Sequence, residues 1–164
     1  MHNVVFRKGA LAGCLTLTVL LAGCVTRPEA PKAPATPALV TCSAAPAGDP
    51  FIGTWLAVRK HKGLAGELHV LMALNADGTM AYSEQLKRGK APARGLSETG
   101  CWHRDATTLT LKTTQSNGVP VELDDPIYSN KYTIRSQTAR TLSLLGSEGE
   151  FKAQRMPDGY RLPY

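Results

Sequence analysis

Apolar and polar residues alternate along most of the chain from residue 51 to the C-terminus. Alternation with a period of two is typical of β-strands that bury one face. The clearest run is 67–75, which leads through a turn sequence containing Asp77 and Gly78 into a second alternating run, so the two runs predict a hairpin. Four apolar residues share one face of the first run: Leu68, Val70, Met72 and Leu74.

Turn residues recur about every eight to twelve positions here, which is the pattern of an all-β sandwich or barrel. We predict no helix between residues 51 and 164. Because the connections are short and sequential, we expect a small antiparallel up-and-down meander that closes into a lipocalin-like barrel, since closure removes exposed edges. Pro120 limits the sixth run to an edge or loop strand. The predicted strands are 51–59, 67–75, 79–86, 98–104, 107–115, 119–123, 127–136, 140–145 and 150–156.

The first residues of the chain have a different pattern. Arg7 and Lys8 precede an apolar stretch over 9–21, and a Leu-Ala-Gly-Cys quartet ends at Cys24. This is the order of a secretory signal peptide, and the stretch is shorter than the ~20 apolar residues of a membrane-spanning helix. The same quartet ends at Cys14, but cleavage there would leave almost no apolar region, so we expect Cys14 to be removed with the signal.

The quartet that ends at Cys24 resembles the lipobox of bacterial lipoproteins. The resemblance implies that Cys24 carries the lipid and is the first residue of the mature chain. Two or three acyl chains hold a protein stably on a bilayer. The second residue of this mature chain would be Val25. In proteobacterial lipoproteins, a residue other than Asp at that position favours transfer to the outer membrane. The implied location is the bacterial cell envelope, with a lipid anchor in the outer membrane and the protein facing the periplasm.

A stretch rich in Pro, Ala, Thr and Ser separates Cys24 from the first predicted strand. A proline at every third position matches polyproline II, although a plain disordered linker is an equally good interpretation. The predicted organisation is a signal peptide over 1–23, a lipidated tether over 24–50 and one small domain over 51–164. The regularly spaced prolines are Pro28, Pro31, Pro34 and Pro37.

Cys42 and Cys101 are the two cysteines that follow Cys24. Export would place them in a compartment where disulfides persist. An intramolecular bridge between them would join the end of the tether to the domain. Free thiols, or a bridge to another chain, are the alternatives.

The chain is basic, with a formal net charge of +6 at pH 7. Nucleic acid is not an expected partner in the envelope, where cations meet phosphorylated lipid headgroups or cell-wall carboxylates. Two cationic clusters follow the first and third predicted strands, and loops after odd strands of a meander emerge at one end. The clusters could therefore form one anion-binding rim, or they could be solvated loops. They comprise Arg59, Lys60, His61 and Lys62, and Lys87, Arg88, Lys90 and Arg94.

The sequence offers little for catalysis or metal binding. No two histidines have the spacing of a helical zinc site. Asp124 and Asp125 precede a proline, which is typical of a turn cap rather than of a calcium site. We therefore expect no catalytic residue, no metal, no cofactor and no enzymatic activity. The histidines that follow Cys24 are His61, His69 and His103.

Gly53-Thr54-Trp55 opens the first predicted strand, and Asp77-Gly78-Thr79 joins the second to the third. This pattern resembles the opening of lipocalins and of the shorter lipocalin-like domains of bacterial lipoproteins. The resemblance covers residues 51–156. It implies a barrel in which Trp55 packs across the closed end, while Gly53 lets the chain bend without a Cβ clash.

Two functions fit these expectations. In the first, the barrel is a binding module for a small apolar or amphipathic ligand. In the second, a solid barrel is a non-enzymatic interaction protein that meets a cell-wall polymer, an envelope complex or an enzyme through its basic loops. We expect a monomer in both. A ligand in the first case would contact Leu68, Val70, Met72, Tyr82, Leu109 and Tyr132.

Overall fold

The computed structural model describes residues 40–60, 63, 65–89 and 95–163, and these form an antiparallel β-barrel. Inward side chains alternate with outward ones along the strands, as the period of two predicts. The predicted all-β class is confirmed. The strands are β1 (Gly53–Arg59), β2 (Glu67–Leu74), β3 (Thr79–Lys87), β4 (Gly95–Arg104), β5 (Thr108–Ser116), β6 (Val119–Pro120), β7 (Ser129–Gln137), β8 (Thr141–Gly146) and β9 (Gly149–Met156).

Eight of the nine strands that the described residues form close into a ring. Each ring strand pairs antiparallel with the next along the chain, β5 pairs with β7, and β1 pairs with β9 to complete the circle. The two-residue strand β6 pairs with the end of β5, outside the ring. The predicted meander and its closure are confirmed, and closure gives every ring strand two hydrogen-bonded neighbours.

Some strand boundaries differ from the predicted ones. β1 begins at Gly53 instead of residue 51, and β4 begins at Gly95, inside a stretch predicted as a loop. The strand predicted over 119–123 shortens to β6, because Pro120 lacks an N–H to continue the pairing. The short segment Pro126–Tyr128 forms a single 3-10 turn of three residues, which leaves the predicted all-β class unchanged. None of the helical structure within the described residues is long and apolar enough to cross a membrane.

Large apolar side chains fill the barrel from one end. We call this the closed end; it contains the start of β1, the β2–β3 turn and the end of β9, and the opposite end is the open end. An eight-stranded barrel is just wide enough for its own side chains to fill it. The large apolar side chains that are less than 2% exposed are Trp55, Val70, Met72, Leu74, Leu109, Leu111, Leu142 and Leu144.

Residues 42–52 cross the closed end, so the last part of the predicted tether packs on the barrel. Cys42 and Cys101 form a disulfide with their Cα atoms 5.3 Å apart, which confirms the intramolecular alternative. The Ala45 N–H donates to the Ala76 carbonyl across 2.9 Å. Gly78 has a φ of +82°, and a Cβ there would overlap the Ser43 carbonyl oxygen, so only glycine lets the segment cross this turn.

A buried ion pair holds the same segment further along. The Asp49 carboxylate is buried, accepts the Phe51 N–H at 2.9 Å and lies 2.9 Å from the Arg104 Nε. The Arg104 guanidinium also lies 4.9 Å from the centre of the Phe51 ring. Charge, hydrogen bond and ring contact therefore join the segment before β1 to the end of β4.

Replacing Asp49 by alanine should lower the free energy of unfolding by roughly 2–3 kcal/mol, because Arg104 and the Phe51 N–H both lose their acceptor. Urea unfolding followed by circular dichroism measures the change. Asp158→Ala removes an exposed carboxylate at the same end and should change the stability by less than about 0.5 kcal/mol. Equal losses in the two variants would show that the pair with Arg104 contributes nothing specific.

Trp55 is the largest fully buried side chain of the described residues and lies at the closed end. Its Nε1 donates to the Phe51 carbonyl at 2.8 Å, and the Arg155 guanidinium lies 4.2 Å from the centre of its ring. Each nitrogen of the Arg155 guanidinium also donates to a backbone carbonyl, and the three acceptors belong to Ile52, Pro50 and Ala139. Gly53 has a φ of +136°, and a Cβ there would overlap the Arg155 Nη1.

Candidate functional site

A cavity of about 420 Å³ lies at the open end of the barrel. It forms because the inward-facing residues of the strands change from apolar or aromatic to charged towards the open end. On β1 they run from Trp55 and Ala57 to Arg59, and on β3 from Tyr82 to Glu84. Charged side chains cannot fill the interior as the core residues do, so space remains above the core.

An aromatic pair forms one wall of the cavity. The Tyr132 ring on β7 and the Phe151 ring on β9 meet edge to face, with their centres 5.7 Å apart and their planes at 87°. This is a favoured geometry for two rings and fixes both side chains. The pKa of the Tyr132 phenol is raised, and the largest cause is burial. The phenol is therefore a neutral hydrogen-bonding group at pH 7.

Two carboxylates face the cavity from β3 and β4. Glu84 accepts a short hydrogen bond from the Tyr82 hydroxyl, and Glu98 accepts one from the Thr113 hydroxyl at 3.0 Å. Burial raises the pKa of Tyr82 well above its usual value, and Tyr132 and Glu84 add to the effect. The donors, Tyr82 and Thr113, are both neutral hydroxyls. They hold the two carboxylates in place and bring no positive charge to them.

Arg59 brings a positive charge to the same cavity. Its guanidinium pairs with the Glu148 carboxylate of the β8–β9 hairpin at 2.8 Å and lies 5.3 Å from the centre of the Phe151 ring. The side chain is 22% exposed, but its Nε atom is buried without a hydrogen-bond partner among the described residues. The ion pair joins the end of β1 to the β8–β9 hairpin, which is adjacent because β1 pairs with β9.

The predicted set of ligand-contacting residues is only partly at this cavity. Tyr82 and Tyr132 line it. The other four residues belong to the packed core cluster and do not line this cavity, so a contact between them and a ligand stays a prediction: Leu68, Val70, Met72 and Leu109. The apolar side chains of the facing strands occupy the space beside them. Sequence reasoning missed Glu84, Glu98 and Phe151, although Glu84 follows Tyr82 by two positions and so shares its inward face.

At the open end the Arg88 Nε donates to the Ala65 carbonyl at 3.0 Å, which joins a described residue after β3 to one before β2. Lys60 and Arg88 are exposed, whereas Lys87 lies half-buried on the outer face beside Glu67. Arg59 turns inward into the cavity instead. Anion binding by the two basic clusters stays a prediction. The remaining members of the clusters lie outside the described residues: His61, Lys62, Lys90 and Arg94.

The other residues singled out in the sequence lie away from the cavity. His69 is on the outer face of β2, where burial and the charge of Lys87 lower its pKa. Asp125 caps the 3-10 helix by accepting the Ile127 N–H at 3.0 Å, as predicted for a turn cap. His103 and Asp124 are exposed. Cys24, the predicted lipid attachment site, lies outside the described residues.

The described residues contain no group of three or more His, Cys, Asp or Glu side chains placed to hold a metal ion. No protein-family model matches the sequence, and no curated protein matches it. The chemistry of the cavity therefore has to be inferred from its own residues. It combines two aromatic rings, two carboxylates held by hydroxyls and an arginine engaged in an ion pair.

Proposed function

We propose that this protein is a lipid-anchored lipoprotein of the bacterial envelope whose barrel binds a small amphipathic ligand at the open end. The observation that carries the proposal is the cavity of about 420 Å³ with the Tyr132–Phe151 wall. Small-molecule sites commonly occupy roughly 300–1,000 Å³ and combine apolar walls with a few fixed polar groups. Arg59, Glu84 and Glu98 supply the polar groups here.

The anchor rests on the sequence before the barrel. The signal-like stretch and the quartet ending at Cys24 support a lipid on that cysteine, and Val25 supports the outer membrane, with the barrel in the periplasm. Cys42 joins the barrel at the closed end through its disulfide with Cys101. This covalent bond therefore lies at the end of the barrel opposite the cavity.

A ligand bound at the aromatic wall should survive native mass spectrometry of the full chain purified from envelopes. Phe151→Ala removes one ring of the wall and should raise the Kd by about tenfold, and so lower the bound fraction, since the ring contributes on the order of 1.4 kcal/mol. Tyr160→Ala, which removes a half-buried ring outside the cavity, should retain the ligand. A wild-type protein that is bare in every preparation, or equal retention by the two variants, contradicts binding at this wall.

A second function has one observation in its favour. The Arg88 Nε donates to the Ala65 carbonyl at the open end, and Arg88 and Lys60 are both exposed cations. Such a surface suits an anionic partner in the envelope, such as a cell-wall polymer or an acidic protein. A bare barrel in the native mass spectra favours this non-enzymatic interaction role over the carrier role.

A further inference from the structure

We propose that the ligand of the open-end cavity carries a cationic head group, of the ammonium or guanidinium class, which pairs with Glu84 and Glu98. The apolar body of the ligand then lies against Tyr132 and Phe151. This inference rests on the proposed binding function and adds the charge of the ligand to it. It follows from how the charged side chains around the cavity are paired.

Among the described residues, each positive charge at the cavity is either engaged in an ion pair or placed at the rim. Arg59 pairs with Glu148 at 2.8 Å, so its guanidinium is already engaged by a carboxylate. Lys131 is exposed on β7 and alternates with the inward Tyr132, so its ammonium belongs to the rim. Within the described residues, Glu84 and Glu98 have hydroxyl donors and no cationic partner. The interior therefore offers two formal negative charges to a ligand.

The two carboxylates are placed to act on one head group. Tyr82 is the cross-strand partner of Glu98, and Glu84 follows Tyr82 by two positions, which makes the glutamates diagonal neighbours on the inner face. Diagonal neighbours lie about 7–8 Å apart at their Cα atoms, within reach of one ligand atom between long side chains. An ammonium group has three donors and can bind both carboxylates at once.

Burial makes this preference for a cation strong. Glu98 and Tyr82 are each 9% exposed and Glu84 is half-buried, so a head group between the two glutamates would be partly removed from water. Charge interactions strengthen in such surroundings, and an anion brought to the same place would meet two like charges. The aromatic wall is compatible with a cation, because the Arg59 guanidinium already lies over the Phe151 ring.

Three probes of equal length separate the head-group charge from apolar binding: hexylammonium, hexanol and hexanoate. Each is titrated by calorimetry into the full chain in lipid nanodiscs, with empty nanodiscs as the baseline. Hexylammonium should bind at least about tenfold more tightly than hexanol, and hexanoate should bind most weakly. Because the charges are partly screened, the preference should decrease as salt is added.

The double variant Glu84→Gln with Glu98→Gln tests the two carboxylates. Glutamine keeps the size of the side chain and a carbonyl that accepts from Tyr82 and Thr113, so the fold should be preserved, as the unfolding midpoint will show. The preference for hexylammonium should disappear while hexanol binding stays the same. Asp158→Asn removes an exposed charge at the closed end and should retain the full preference.

The outcomes distinguish this inference from the function on which it rests. If the three probes bind equally and Phe151→Ala weakens all of them, the cavity binds ligands but the cationic head group is wrong. The same conclusion follows if the double variant still prefers hexylammonium. If no probe shows saturable binding above the nanodisc baseline, the binding function itself is contradicted, and the inference falls with it.

Discussion

Replacing Trp55 by alanine is expected to lower the free energy of unfolding by roughly 3–5 kcal/mol, the usual range for a buried tryptophan. The indole is fully buried at the closed end, donates to the Phe51 carbonyl and lies beneath the Arg155 guanidinium. Alanine would leave a cavity, an unpaired carbonyl and a charge without its aromatic partner. For a small domain that is stable by about 5–15 kcal/mol, this loss is a large share of the total.

Two matched variants identify the origin of this loss, with urea unfolding of the full chain as the measurement. Trp55→Phe keeps an aromatic face for Arg155 and loses the Nε1 donor, so it should cost less than the alanine variant. Val58→Ala truncates an outward, 48% exposed side chain of the same strand and should cost less than about 1 kcal/mol. A loss below about 1.5 kcal/mol for Trp55→Ala would contradict the role of the indole as the plug of the closed end.

The strands were predictable because their signal is local. In β2, Leu68 and its neighbours alternate, and the turn before Thr79 carries the Asp-Gly pair of a hairpin. Short connections then determine which strands are adjacent, so the meander follows from the order of the runs. β6 shows the limit of this signal. The alternation of apolar and polar residues continues after Pro120, but the pairing between strands ends at Pro120.

The closed end was not predictable, since its contacts join distant parts of the chain. Asp49 and Arg104 are 55 positions apart, and Arg155 reaches the Ile52 carbonyl over 103 positions. Residues 42–50 have the composition of a tether, and nothing local marks Asp49 as a buried acid. The bridge from Cys42 to Cys101 was one of several alternatives in the sequence.

The cavity was predictable only in part. The alternation places Tyr82, Glu84 and Tyr132 on the inner face, so an inward carboxylate was a signal that the sequence contained. Whether an inward position is packed or open depends on the volumes of side chains from all eight ring strands. Leu109 is packed because apolar groups from other strands meet it, and this information is absent from its own strand.

The disulfide is the remaining covalent feature of the closed end. It joins residues 59 positions apart, so β1, β2 and β3 all lie inside the loop that it closes. A bridge of this length removes much conformational freedom from the unfolded chain. It also keeps residues 42–52 over the barrel end, where Asp49 and Phe51 make their contacts with Arg104 and Trp55.

Replacing Cys42 and Cys101 together by serine should lower the free energy of unfolding by about 4 kcal/mol, from the entropy that the open chain regains. A reducing agent should destabilise the wild type by a similar amount and leave the double variant unchanged, which separates the bridge from the side chains themselves. Thermal unfolding with and without reductant measures both effects. Equal sensitivity of the two proteins to reductant would contradict the bridge as the cause. The open-end cavity lies at the other end of the barrel, so its ligand preference should persist in the variant below its unfolding temperature.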